Sequence, residues 1–222
     1  MKSLFASLLL SSLFLVGLSG CGSSPPPLVD AGTVSADDTS EAPDAEDETP
    51  EESTTRRFVR DGITAEIATW EETQKIVSQH AGKVVVLDVW STYCEPCIKE
   101  FPNLVALQKQ YPDQIVCISF NLNYVGFEDT PPESNSEEVL DVLVSLKSEL
   151  HNIISSTTDD DFYKATDFNS IPAVFVYDKD GKLKQRFDNE KTLYGKEGFT
   201  YKQHIIPLIE KLLAENAVEN SK

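Results

Sequence analysis

An α/β fold with a central mixed β-sheet flanked by helices is the class this chain predicts, on three observations. Lys83 to Trp90 and Ile115 to Phe120 are near-continuous apolar runs, as expected of strands covered on both faces. Glu95 to Gln110 between them has a helical pattern, and strand, helix, strand in that order implies a right-handed parallel crossover. Ile171 to Tyr177 and Lys182 to Phe187 flank the turn Asp178-Lys179-Asp180-Gly181, whose Asp-Gly pair is a strong hairpin signal.

The first residues read as a signal for export. Lys2 supplies the charged n-region, and Leu4 to Leu18 form an apolar stretch broken only by small residues, too short and Ser-rich for a membrane-spanning helix. Leu18-Ser19-Gly20-Cys21 resembles the bacterial lipobox, which implies a lipoprotein signal over 1–20, cleavage before Cys21 and lipidation of that cysteine. Two or three acyl chains anchor stably where one does not. An ordinary signal with a chance cysteine at its end is the alternative. From Gly22 to about Thr55 the chain is Ser, Pro, Thr, Ala, Asp and Glu, with no Lys or Arg before Arg56. Such a stretch cannot bury enough surface to offset its ordering entropy, so 21–57 is expected to be a disordered acidic tether. Much of the formal net charge of -18 lies there, and it argues against a nucleic-acid partner.

Residues 58–217 suit one domain with one core, followed by a short tail over 218–222. Ile63 to Ile67 alternates like a short edge strand. Thr69 with Glu72 three positions on forms a capping box that opens a helix to about Gln79, with Gly82 marking its end. Pro102 predicts a kink in the helix over 95–110. After a polar loop from Asn121 to Ser136, Glu137 to Leu150 carries an apolar helical face, and Asn152 to Ser156 is a further short strand. Asp159 to Thr166 is a short helix, and Thr200 to Glu215 closes the domain as an amphipathic helix interrupted near Pro207.

Cys94-Glu95-Pro96-Cys97 directly follows the first apolar run and opens the helix after it. Two thiols one turn apart can close into a disulfide and reopen, and the positive end of a helix favours thiolate, the nucleophilic form. If Cys21 is lipidated, Cys94, Cys97 and Cys117 remain, one pair and one leftover. A domain of this size needs no staple, so the pair points to thiol–disulfide exchange.

At these residues the chain resembles the thioredoxin superfamily, across roughly Ile63 to Leu213, and within it the exported TlpA/ResA-like thiol–disulfide oxidoreductases. Val86 to Cys97 is similar to the family's strand-to-redox-helix segment, and Ser170-Ile171-Pro172-Ala173 to its cis-proline loop. The resemblance implies a thioredoxin fold in which the 121–136 loop and the following helix and strand are the TlpA/ResA-type insertion. It also implies that Cys94 is the exposed nucleophile, Cys97 the resolving thiol, and the pair a redox-active disulfide. A permanent disulfide or half of a zinc site are the alternatives, but zinc lacks ligands, since only Cys117 and three scattered histidines remain.

Asp88, in an otherwise apolar strand, matches the family's buried carboxylate, which helps deprotonate the resolving thiol. Burial should raise its pKa, although a strand-edge Asp facing water is the bland reading. Thioredoxins pair this carboxylate with a Lys on the next strand, and Cys117 occupies that place here. Glu100, one turn after Cys97, approaches the thiols by the same resemblance, unless it is an ordinary helix-surface carboxylate. Glu95 and Glu100 oppose the helix dipole, so Cys94 is expected to titrate above the value of about 7 in thioredoxin. Ile171 and Pro172 are expected to offer backbone hydrogen bonds to a substrate peptide, with Trp90, Tyr93, Glu95 and Pro96 around the thiols as further substrate contacts, although a plain core aromatic is the stronger reading of Trp90.

These residues imply an enzyme: a membrane-anchored thiol–disulfide oxidoreductase outside the cytoplasmic membrane, facing the periplasm. The expected direction is reduction of protein disulfides, with cytochrome c maturation as one setting, and no cofactor or metal is expected. Its partners are disulfide-bearing proteins, a membrane electron donor of the thiol-reductase type, and the lipid bilayer through Cys21. A redox-inactive binding or scaffold module of the same fold is the alternative.

Overall fold

The computed structural model describes residues 56–190 and 193–219. The expected signal peptide, Cys21 and nearly all of the tether lie outside the described residues. Seven strands form one mixed sheet, and the elements run β1 (Arg57–Arg60), β2 (Ile63–Ala68), α1 (Trp70–Gln79), β3 (Val84–Trp90), α2 (Glu95–Gln110) and β4 (Ile115–Asn121). A 3₁₀ turn over Pro132–Asn135 leads into α3 (Ser136–Ser145), β5 (His151–Ser155), α4 (Asp159–Thr166), β6 (Ala173–Tyr177) and β7 (Leu183–Phe187). A π-helical turn over Tyr201–Ile205 opens α5 (Ile206–Glu219).

Strand order is β1-β2-β5-β4-β3-β6-β7. Parallel pairing joins β2, β5, β4 and β3, whereas β1 and the β6–β7 hairpin are antiparallel. β3 is buried along its whole length, which is why it reads as an unbroken apolar run. Its two faces serve two cores. Val84, Val86 and Trp90 meet α2, α3 and the C-terminal helix, whereas Val85, Leu87 and Val89 share the other face with Trp70, Val77 and Phe162 of α1 and α4. Trp70 stands edge-on to both Phe120 and Phe162, with centroids 5.6 and 4.9 Å away.

Three local expectations differ from the fold. Ile63–Ala68 is an interior strand, because Arg57–Arg60 pairs outside it. That four-residue strand is half exposed and carries an arginine at each end, so its composition resembles the acidic tether's boundary more than a strand. Its first residue, Arg57, falls within the stretch assigned to the tether, and at the other end α5 runs two residues past 217. α3 stops at Ser145, since Lys147 takes φ 51° and Ser148 N–H turns back to Leu143 C=O at 3.0 Å. Leu146 and Leu150 still pack on the core from the turn, which prolongs the apparent helical pattern.

The helix-strand unit expected after the second buried strand is α3 and β5, and β5 lies between β4 and β2. Asn152 locks it there. Its buried amide donates to Thr64 C=O (3.0 Å), Ser148 C=O (2.9 Å) and Leu150 C=O (3.1 Å), while its Oδ1 accepts from Ser119 (2.8 Å) and Ser148 (2.7 Å). The capping box of α1 forms in both directions between Thr69 and Glu72.

At the C-terminal end, Pro207 has no N–H to offer the helix behind it. The preceding turn is π-helical, with Ile206 N–H bonded to Tyr201 C=O. This irregular turn packs on α2 and presents Tyr201, fully buried, to the interior. Among the described residues no helix is long and apolar enough to cross a membrane.

Candidate active site

β3 carries the chain into Ser91-Thr92-Tyr93, and Cys94 is the N-cap of α2 with φ -96° and ψ 90°. Cys94 N–H donates to Ser91 C=O at 3.0 Å, and its own C=O accepts from Ile98 N–H at 3.1 Å. Pro96 sits in the first turn, where its missing N–H costs nothing because that group has no helical partner. The two sulfurs of Cys94 and Cys97 are joined, with their Cα atoms 5.3 Å apart.

Both cysteines pack into the core cluster that holds Trp90 and Phe101. Cys94 is 9% exposed and Cys97 3%, so the first thiol is the more accessible but is not the open group the sequence suggested. The cap position folds it back against the core. Trp90 departs further from expectation: it is fully buried, edge-on to Phe101 at 5.2 Å, and offers no surface to a substrate. Strand alternation explains this, since Trp90 shares the face of Val84 and Val86 under α2. Tyr93, on the other hand, is 79% exposed, and its hydroxyl donates to Glu138 of α3 at 2.9 Å. That contact, by favouring the phenol over the phenolate, raises the Tyr93 pKa. Glu95 and Pro96 are exposed on the same rim.

Ile171-Pro172 is a cis peptide immediately before β6. Ala173 pairs with Val89 on β3, so this loop lies alongside the strand end that leads to the cysteines. A cleft of about 140 Å³ opens here, lined by Asp88, Pro96, Cys97, Glu100, Pro172 and Tyr201 together with neighbours from the 189–200 loop. Two larger hollows, one of about 300 Å³ against α1 and β2 and one of about 570 Å³ beside α4, contain neither cysteine nor the cis proline.

Asp88 lies at the buried end of this cleft, 5% exposed. Burial pushes its carboxyl up to about 7, a hydrogen bond from Tyr201 pulls it down, and the nearby charge of Glu100 raises it. The Tyr201 hydroxyl donates to Asp88 Oδ2 at 2.5 Å. Glu100, half-buried, accepts from Tyr201 N–H at 3.0 Å and from Asn103 at 3.2 Å, so it faces the site rather than bulk water. In the β3–β4 register, Ser119 stands opposite Asp88, and Cys117 is paired with Val86. The partner of Asp88 is therefore Tyr201, from the far end of the chain, and not the residue on the next strand. Cys117 is a free buried thiol whose pKa is driven up by burial and by the Asp88 charge, which makes it a poor nucleophile.

Sequence reasoning missed Tyr201 and also Asn123. Asn123 Oδ1 accepts from Thr92 N–H at 3.0 Å, and its amide donates to Thr92 Oγ1 at 2.7 Å, tying the loop after β4 to the approach to Cys94. A polar Asn-x-Asn directly after an apolar strand was the available signal for Asn123. For Tyr201 there was none. Among the described residues no cluster of three or more His, Cys, Asp or Glu could hold a metal ion.

A family model described as thioredoxin-like matches residues 82–183, which include β3, the cysteine pair, α2, β4 and the cis-proline loop. Over that stretch, just under half of its length, the chain is similar to thioredoxin-like proteins. The chain is also similar to the thioredoxin-like protein YneN of Bacillus subtilis, 42% identical over 40 residues, 18% of this chain and 24% of YneN. It is also similar to the thiol-disulfide oxidoreductase ResA of Bacillus cereus, 25% identical over 121 residues, 54% of this chain and 64% of ResA. The chain thus spans less than two thirds of the length of these curated relatives. A solved thiol:disulfide interchange protein from Chlorobium tepidum aligns at 16% identity over 72% of this chain and 93% of that one, with a TM-score of 0.46.

Proposed function

We propose that the chain is a thiol–disulfide oxidoreductase that reduces protein disulfides through Cys94 and Cys97. The observation that carries this reading is the bonded cysteine pair at the start of α2, whose Cys97 shares one cleft with a buried carboxylate poised near neutrality. Similarity to ResA supports the same chemistry.

In the reduced state the Cys94 thiolate attacks one sulfur of a substrate disulfide. That S–S bond breaks, the departing sulfur takes up a proton, and Cys94 is left in a mixed disulfide. Cys97 gives its proton to Asp88 and attacks Cys94 Sγ. The mixed bond breaks as the Cys94–Cys97 bond forms again, and the second substrate sulfur leaves as a thiolate that takes up the proton held by Asp88. Two electrons have passed to the substrate, so a dithiol donor must restore the pair, and in an oxidising compartment a membrane thiol reductase suits that need. Glu100 supports the charge balance around Cys97 and Asp88. Tyr93, Glu95, Pro96 and the Ile171-Pro172 backbone form the rim against which a substrate peptide is laid.

The export signal and Cys21 support a lipid-anchored protein facing the periplasm, and disulfides formed in proteins awaiting haem attachment during cytochrome c maturation are the substrate class we favour. With a dithiol supply, the full chain should reduce insulin, and Cys94→Ser should lose that activity by at least about a hundredfold, as expected when the attacking thiol is removed. Cys97→Ser should accumulate mixed disulfides with exported proteins, identifiable by mass spectrometry. A native chain inert toward insulin, together with a Cys97→Ser variant that captures nothing, would refute the reading. Fatty-acid labelling of the expressed chain that is unchanged in Cys21→Ala would remove the anchor.

A further inference from the structure

Tyr201 contacts both carboxylates of the cleft through two different groups. Its hydroxyl donates to Asp88 Oδ2 at 2.5 Å and its backbone N–H donates to Glu100 Oε2 at 3.0 Å. The residue is fully buried, and its backbone is fixed by the π-helical turn, in which Tyr201 C=O accepts from Ile206 N–H. Thr200 steadies the entry to that turn, with Gln203 N–H bonded to its side chain at 3.3 Å and His204 N–H bonded to its C=O at 3.1 Å. The C-terminal element thus packs on the cysteine helix and ends on the carboxyl that lines the same cleft as Cys97.

We propose that Tyr201 is a positioning residue for disulfide exchange: it orients the Asp88 carboxylate toward Cys97 and keeps it able to accept a proton. A phenol hydroxyl has a single proton to give, and here it is aimed at a carboxylate oxygen. Such a bond favours the ionised carboxylate over the acid, opposing the effect of burial. It also fixes one oxygen of Asp88, a residue that lines the cleft together with Cys97. The groups packed around Asp88 are Tyr201 from the π-turn, Glu100 and Cys97 from α2, and Cys117 from β4, with Lys99 and Glu197 farther along the cleft wall. Among these, Tyr201 is the one hydrogen-bonded to Asp88, while Glu100 and burial push toward the protonated form.

The inference deepens the exchange reading and rests on it for the use made of the Asp88 proton; its test has a readout that needs no activity. In full-length protein with labelled aspartate, the ¹³C signal of the Asp88 carboxyl is followed against pH in the native chain and in Tyr201→Phe. Loss of the hydroxyl should raise the Asp88 midpoint by about one pH unit, the scale of a hydrogen bond to a charged group. In the reduced protein, the midpoint for insulin reduction should move in the same direction, and adding Asp88→Asn should abolish the difference between the native and Tyr201→Phe backgrounds. An unmoved Asp88 midpoint in a folded Tyr201→Phe protein overturns the inference. If that variant does not fold, the ¹³Cζ signal of Tyr201 in the native chain decides: it should shift with the midpoint of Asp88, and a signal flat through that range is equally fatal. A native chain inert toward insulin with the Asp88 midpoint still raised in Tyr201→Phe would defeat the exchange reading while leaving the contact's effect on Asp88 established.

Discussion

At the scale of single residues, the site is built by placing a carboxylate where water cannot stabilise it and then limiting the damage. Asp88 is held near neutrality because burial and Glu100 push its proton affinity up while the Tyr201 hydroxyl restrains it. Glu100 is thus more than a helix-surface residue: it lines the cleft, and its charge acts on Asp88. Glu100→Gln should lower the Asp88 midpoint by a fraction of a unit, read by the same carboxyl titration, because one like charge is withdrawn while the Tyr201 hydroxyl remains. A midpoint that rises would mean that Glu100 matters chiefly by holding the Tyr201 backbone. Asp88 and the cysteine pair were legible in the chain because each is a local anomaly, an acid in an apolar strand and two thiols one turn apart, whereas the cis proline rested on the resemblance of Ser170-Ile171-Pro172-Ala173 to the family's loop.

At the scale of elements, most boundaries follow from periodicity and capping. α4 forms over the expected residues, with Thr158 capping Asp161 N–H at 3.1 Å and three aspartates in its first turn. The exceptions have physical causes. β1 is short and polar, so only its partner β2 reveals it as a strand. The apolar pattern overextends α3 because the turn after it keeps packing apolar residues. The insertion of β5 depends on Asn152, whose side chain makes five hydrogen bonds to β2, β4 and the turn before β5. Replacing it with Ala leaves several buried polar groups unpaired, so Asn152→Ala should lower the unfolding free energy by about 2–4 kcal/mol. Urea denaturation measures this, and a loss below half a kcal/mol would show that water or neighbours satisfy those groups.

At the scale of the whole molecule, the raised Asp88 makes stability depend on pH. Its carboxyl titrates near 7 in the fold and near the ordinary value of about 3.9 when unfolded, so the folded state binds more protons between those limits. The stabilisation is complete below about pH 4 and is lost as pH rises through about 7, a fall of order 4 kcal/mol at most. Urea unfolding of the oxidised protein from pH 4 to 8 should show this decline, and Asp88→Asn should flatten it; a native curve with no decline attributable to Asp88 would mean that the carboxyl is better solvated than its burial implies. Taken alone, the sequence determined most strands and helices, the thiol pair at a helix start and the acid in an apolar strand, because each follows from short-range periodicity or from one residue's chemistry, whereas the cis-proline loop followed from family resemblance. Only the tertiary structure decided that Trp90 is hidden, that Cys94 is nearly so, and that one C-terminal tyrosine joins Asp88 and Glu100. Those contacts span 113 and 101 positions of chain, and no local pattern encodes them; they exist because packing the π-turn under α2 brings the groups together.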